Sequence, residues 1–243
     1  MSNIVLVGTV HIDHKGPERL EGTLQHYKPG IVCLEQTPKG ATKGWRGHLD
    51  LVKKWEDIPW SRLYSPEQIE RVRLEFMSSY YESWVPKVYK NGSPDITLYC
   101  IDQELTDEMN GSLDLNERLW VMRELASGRT IQDLVTPVDV SIQDFVEKGS
   151  VQEHQAHVDR EYDRTDPNVF ISRYGEGLFR VAVLDRDKRF AEQIRKIHGD
   201  NPDKTLVATL GNMHIFGNYD GNTYNLLSDL SPTRLKLRDA DYL

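Results

Sequence analysis

The 243-residue chain is poor in cysteine, with only Cys33 and Cys100, each inside an apolar run. Two thiols exclude a disulfide framework, and a chain of this length buries enough surface to fold without one. The sequence also lacks any apolar stretch of the roughly eighteen residues that a membrane-spanning helix needs. No signal-like segment is present, and Met1-Ser2-Asn3 leads straight into a strand. The expectation is a cytoplasmic protein with reduced thiols and no membrane contact. Basic residues are scarce too, 30 against 38 acidic, for a formal net charge of −8. That balance argues against nucleic acid or an anionic membrane surface as the main partner. The partner expected is a peptide or small-molecule substrate, with a homo-oligomer left open.

What is present is an echo. Val5-Leu6-Val7-Gly8-Thr9-Val10-His11-Ile12 returns two hundred residues later as Val207-Ala208-Thr209-Leu210-Gly211-Asn212-Met213-His214-Ile215. Each half reads as a strand buried on both faces, and each delivers Gly-x-x-His-Ile at its carboxyl end. A second echo follows the same logic, Ile31-Val32-Cys33-Leu34-Glu35-Gln36 against Leu98-Tyr99-Cys100-Ile101-Asp102-Gln103. Ligands of open α/β sheets bind at the carboxyl ends of the strands, so His11, Glu35, Asp102 and His214 are candidates for one site. The fold class is α/β, a central and mainly parallel sheet with an internal pseudo-repeat, formed by residues 1–36, 96–103 and 204–217 of a single domain spanning 1–243. A strand–helix–strand unit in the first 36 residues would place Glu35 beside His11.

Helices fill the rest. One opens at Lys15-Gly16-Pro17, buries Leu20 and Leu24, and ends at Pro29-Gly30. Two helical insertions are expected, at about 40–95 and 104–165. The first holds Trp45, Trp55, Trp60, Trp84 and Tyr80-Tyr81 as packing residues, with a helix starting at Ser65-Pro66; the second has its clearest amphipathic piece at 115–122, stopped by Gly128. His154 and His157 share a charge-rich helix and read as a solvated face. A long helix runs from Asp166-Pro167, past Gly175 and Gly177, to about His198. Its apolar face is Phe179, Ala182, Val183, Phe190, Ile194 and Ile197, with Arg186 in the middle. A guanidinium there needs partners, and the acidic strand tips are nearest. Two readings stay open for it: a structural clamp on carboxylates, or a donor to a developing oxyanion.

Together Gly8-Thr9-Val10-His11, the acid of Cys33-Leu34-Glu35, Asp185-Arg186-Asp187 and Gly211-Asn212-Met213-His214 resemble the TraB, PrgY and Tiki family, which is related to the erythromycin esterases and the ChaN-like haem-uptake lipoproteins. The resemblance rests on the order and spacing of four motifs, with Asp185 where the family more often has glutamate. It implies that His11, Glu35 and His214 hold a divalent metal, Mn²⁺ or Co²⁺ by analogy with Tiki proteins, although histidine and carboxylate also suit Zn²⁺ or Fe²⁺.

Three functions follow as expectations. The first is metal-dependent hydrolysis, peptidase-like, with His11, Glu35, His214 and Arg186 catalytic and Asp102, Asp187, Gly8 and Gly211 around them, Asp102 orienting a ligand histidine. The second keeps the same residues without metal, one histidine as general base, a carboxylate orienting it and Arg186 at the oxyanion, as an esterase would. The third is a non-catalytic protein that binds or sequesters a peptide, metal or tetrapyrrole.

Overall fold

The computed structural model describes residues 3–11, 13–57, 65–78, 81–103 and 151–243. The helix expected around 115–122 with its stop at Gly128 lies outside them, as do Trp60, Tyr80 and the side chains of Trp55 and His154. Five strands form one sheet, β1 (Ile4–Thr9), β2 (Ile31–Leu34), β3 (Thr97–Cys100), β4 (Leu206–Gly211) and β5 (Thr233–Lys236), in the order β3-β2-β4-β1-β5. Every pairing is parallel. Apolar β-branched runs make β1 and β2 buried at every position, as strands covered on both faces must be. β5 escapes sequence reading because Thr233-Arg234-Leu235-Lys236 is too short and polar to stand out.

Each echo lands on neighbouring strands, one residue out of step. Gly8 stands opposite Leu210 and Gly211 opposite Thr9, while Cys33 stands opposite Tyr99 and Cys100 opposite Leu34. Side chains alternate along a strand, so a one-residue offset turns the paired motif residues to opposite faces. The chain also diverges after the strands. It turns into α1 (Gly16–Tyr27) after β1 but coils at once into a short helix, Asn212–Phe216, after β4.

One face of the sheet carries Ile4, Leu6, Cys33, Ala208 and Leu210 against Phe190, Ile194 and Ile197 of the helix Asp185–Asp200. The other carries Val5, Val7, Val32 and Val207 against α1, the helix Tyr81–Gly92 and the helix Val151–Asp163. Tyr81 is fully buried and its hydroxyl donates to the Val10 carbonyl, so it packs and anchors as expected of that insertion. Trp84 stacks on His48 and, more distantly, Trp45 does the same, again as packing. His157 lies half-exposed beside Glu161, on a solvated face. Between the helices, Asp13 is wholly buried and accepts from Arg19 and Tyr162, tying the turn after β1 to both.

The long helix past Asp166 is real but interrupted. Asp166 caps it by accepting from Asn168 N–H, Pro167 occupies the first turn, and Gly175 at φ 88° ends the first segment at Tyr174. Glu176–Phe179 resumes, Arg180–Leu184 forms a π-turn, and Asp185–Asp200 completes the run. The Asp185 end lies at the carboxyl ends of the strands, where Arg186 reaches Glu35, so the helix runs antiparallel to the sheet. Among the described residues, no helix is long and apolar enough to cross a membrane.

Candidate active site

A cleft of about 540 Å³ opens above the carboxyl ends of β1, β2 and β4, lined by Thr9, His11, Glu35, Arg186, Gly211 and His214 on its sheet side. This is where the topology sends the chain in opposite directions from adjacent strands, the usual place for a ligand.

Glu35 does not lie beside His11. The β1–α1–β2 crossover skips one place, β4 fills the gap, and Glu35 therefore meets residues that follow β4. Its Oε2 accepts from the Gly211 backbone N–H. Its Oε1 accepts from Arg186 Nη2 at 2.7 Å and lies 3.3 Å from His214 Nε2. Burial works against this carboxylate's charge, but the His214 and Arg186 cations and the Gly211 N–H outweigh it and hold the acid well below its ordinary range.

His214 is buried on the short helix that Gly211 opens. Its Nδ1 faces Asp187 Oδ1 at 3.1 Å and its Nε2 faces Glu35, so both ring nitrogens carry protons in this arrangement. Burial alone would push the imidazole down. Glu35 and Asp187 win, and the ring is raised to about 9. Asp187 is itself fully buried and fixed from four directions, by His214, by Tyr219 O–H at 2.7 Å, and by both the backbone N–H and the hydroxyl of Thr223. The partner role expected of Asp102 is therefore filled by Asp187. Asp102 instead accepts from Arg186 Nη2 at 2.7 Å.

Arg186 sits in the register its helix predicts, 20 % exposed, with Phe190 under its guanidinium at 5.1 Å. One nitrogen, Nη2, bridges Glu35 and Asp102; Nη1 makes only a long 3.4 Å bond to the Ala182 carbonyl. Phe190 also meets His214 edge-on, so one ring sets the position of both cations.

His11 lines the same cleft but belongs to a different pair. Its Nδ1 lies 2.7 Å from Glu82 on the helix Tyr81–Gly92, and its side chain is 74 % exposed. Attraction to Glu82 and their hydrogen bond raise it to about 9. Glu82, Tyr219 and Thr223 were not legible as site residues. Glu82 is an acid beside a buried tyrosine, with no spacing that ties it to a histidine 71 positions earlier. The glycines hold close approaches: a Cβ on Gly8 would sit 2.9 Å from Asn212 Oδ1, and one on Gly211 would sit 3.4 Å from Glu35 Oε2.

These donors do not fit a divalent ion as they stand. Glu35 spends both oxygens on Arg186, His214 and Gly211, both ring nitrogens of His214 face carboxylates, and the guanidinium occupies the space between Glu35 and Asp102, so only the second ring nitrogen of His11, whose Nδ1 pairs with Glu82, is left for an ion. Among the described residues, no group of three or more His, Cys, Asp or Glu side chains converges as a metal site. No family model matches the chain, and neither a curated protein nor a solved structure matches it.

Proposed function

We propose that the chain is a hydrolase of ester or amide bonds, peptides among them, that works through Asp187, His214, Glu35 and Arg186. The observation that carries this reading is the chain of contacts from Asp187 through His214 to the cleft. The Asp187 carboxylate on Nδ1 fixes the tautomer, so the neutral ring carries its lone pair on Nε2, which lies 3.3 Å from Glu35 in the lining of the cleft, as a histidine general base requires. Glu35 is too acidic for that task, since three donors stabilise its charge. Its role is to hold His214 and Arg186 in place.

In the reaction, the neutral form of His214, which has released the proton that Nε2 shares with Glu35, takes a proton from water at Nε2 as the water oxygen bonds to the substrate carbonyl carbon. The carbonyl π pair moves to oxygen, and that oxyanion faces Arg186, whose Nη1 is the less committed end. As the tetrahedral carbon collapses, the bond to the leaving group breaks and His214 returns its proton to the departing oxygen or nitrogen. Free Cys33 and Cys100, aimed at opposite faces of adjacent strands, support a reducing, cytoplasmic setting.

A panel of esters and short peptides assayed with the wild type and His214→Gln tests the reading. Turnover lost in the variant supports it. A receptor for peptides or tetrapyrroles is the second reading, favoured by the fully paired charges around Glu35. Tight binding with no turnover across the panel would select it.

A further inference from the structure

The cleft is sided. Of the acids that pair with its cations, Glu82 behind His11, Asp102 behind Arg186 and Asp187 behind His214 are not among the lining residues, while their three partners are. Among the described residues, only Glu35 and Glu161 reach the lining as carboxylates. On its polar side a ligand therefore meets more N–H donors than carboxylates.

Arg164 adds to this. It lines the cleft at 47 % exposure, and its Nη1 comes within 2.8 Å of Glu161 Oε1. That contact is close but misaligned, because the same Glu161 oxygen is buried and receives no hydrogen bond. The guanidinium thus keeps donors for something else. Beside it the wall is apolar: Val169 is 43 % exposed, and Phe170, Ala182, Val183 and Met213 continue the surface. Two features thus meet in one cleft, an arginine with uncommitted donors and an exposed hydrocarbon wall, on a chain whose overall charge is −8.

We infer that the cleft recognises an amphipathic anion, a carboxylate or phosphate group read by Arg164 with His11 and carried on an apolar body that lies against Val169 and Phe170. This rests on the hydrolase reading only in taking the anion as part of the substrate; the recognition itself needs no turnover. Charge-assisted hydrogen bonds from a guanidinium to such a group are each large enough to set the preference.

Calorimetric titration of the full chain with phenylacetate, phenyl phosphate and the uncharged phenylacetamide tests it without reference to catalysis. Either anion should bind on the order of tenfold or more tighter than the amide, the scale of one charge-assisted hydrogen bond, and the tighter of the two identifies the anionic group. Arg164→Gln, at a half-exposed position that spares the fold, should remove on the order of tenfold of that preference; His11→Gln should do the same where it folds. Equal affinity for the amide and both anions, or an anion preference untouched by Arg164→Gln, overturns the inference. Hydrolysis without an anion preference would leave the proposed function standing and this inference fallen; anion binding without hydrolysis would do the reverse.

Discussion

Arg186 and Glu35 are 151 positions apart in the chain and 2.7 Å apart in the fold, and the same guanidinium nitrogen also holds Asp102. The clamp reading and the oxyanion reading of Arg186 are therefore not rivals for the resting state. Nη2 does the clamping, and Nη1 is the end that the proposed reaction would use.

Arg186→Met should consequently lower kcat by a factor on the order of 10² to 10³, the usual loss for one preorganised donor, with KM for an uncharged ester nearly unchanged. Thermal unfolding should show that the variant still folds, although with Glu35 and Asp102 left facing each other it will be less stable. Full turnover in a folded Arg186→Met protein would remove arginine from the mechanism.

A second expectation concerns pH. His214 must be neutral to act as a base, and in the folded protein it is raised to about 9 from an ordinary 6.5. For an uncharged ester, kcat/KM should rise with pH until about 9 and then level off. Asp187→Asn takes away one of the two carboxylates that raise the ring, so the midpoint should move down toward the ordinary value while the maximal rate falls; a midpoint that stays near 9 in that variant would mean another group is being read. The same raised value has a stability consequence of definite sign. The imidazolium contributes fully below about 6.5 and its contribution is lost as pH rises through about 9, so wild-type stability should decline across that window, and His214→Asn should make the decline shallower, leaving the share of His11.

Chelation distinguishes the metal expectation from the geometry. Elemental analysis of the purified protein should find well under one equivalent of Mn, Co, Zn or Fe, and incubation with a chelator should leave turnover in place. Loss of activity with the chelator and its return with one equivalent of metal would restore His11, Glu35 and His214 to a ligand role.

Two glycine substitutions should act in opposite directions. Gly8→Ala brings a methyl to 2.9 Å from Asn212 Oδ1 and 3.1 Å from the Phe216 ring, which should destabilise by about 1 to 3 kcal/mol. Gly22→Ala meets nothing within 4 Å on the exposed side of the helix Gly16–Tyr27, and should stabilise by about 0.5 to 1 kcal/mol. Chemical denaturation of the two variants reads both signs in one experiment.

Much of this architecture is written locally. The apolar runs at Val5, Val32 and Val207 announce buried parallel strands, Asp166-Pro167 announces a helix, and the 3.6-residue register turns Arg186 inward. Glu35, Asp102, Arg186 and His214 could be gathered because each sits at an element's end or on a face the periodicity defines. What could not be read is decided by contacts across the chain. Which strand fills the gap between β1 and β2 depends on where residues 206–211 insert, and that insertion hands Glu35 to His214 instead of His11. Glu82, Tyr219 and Thr223 lie in ordinary local sequence, and only the fold brings them to a histidine or to the acid behind one.

The π-turn at Arg180–Leu184 separates two jobs along one helical run. Downstream of it, Phe190, Ile194 and Ile197 dock against the sheet and fix the phase of Arg186 and Asp187; upstream, Val169 and Phe170 form the apolar wall of the cleft. A π-turn amounts to one residue added to an α-helix, and one residue is worth about 100° of rotation. Shortening 180–184 by a single residue would leave the docked half in place, turn the Glu176–Phe179 helix and the segment joined to it through Gly175 relative to the sheet, and alter Ala182 and Val183 of the wall directly. On the proposed reading, a one-residue change in helix length would alter which apolar body the cleft accepts while Asp187, His214 and Glu35 stay where they stand.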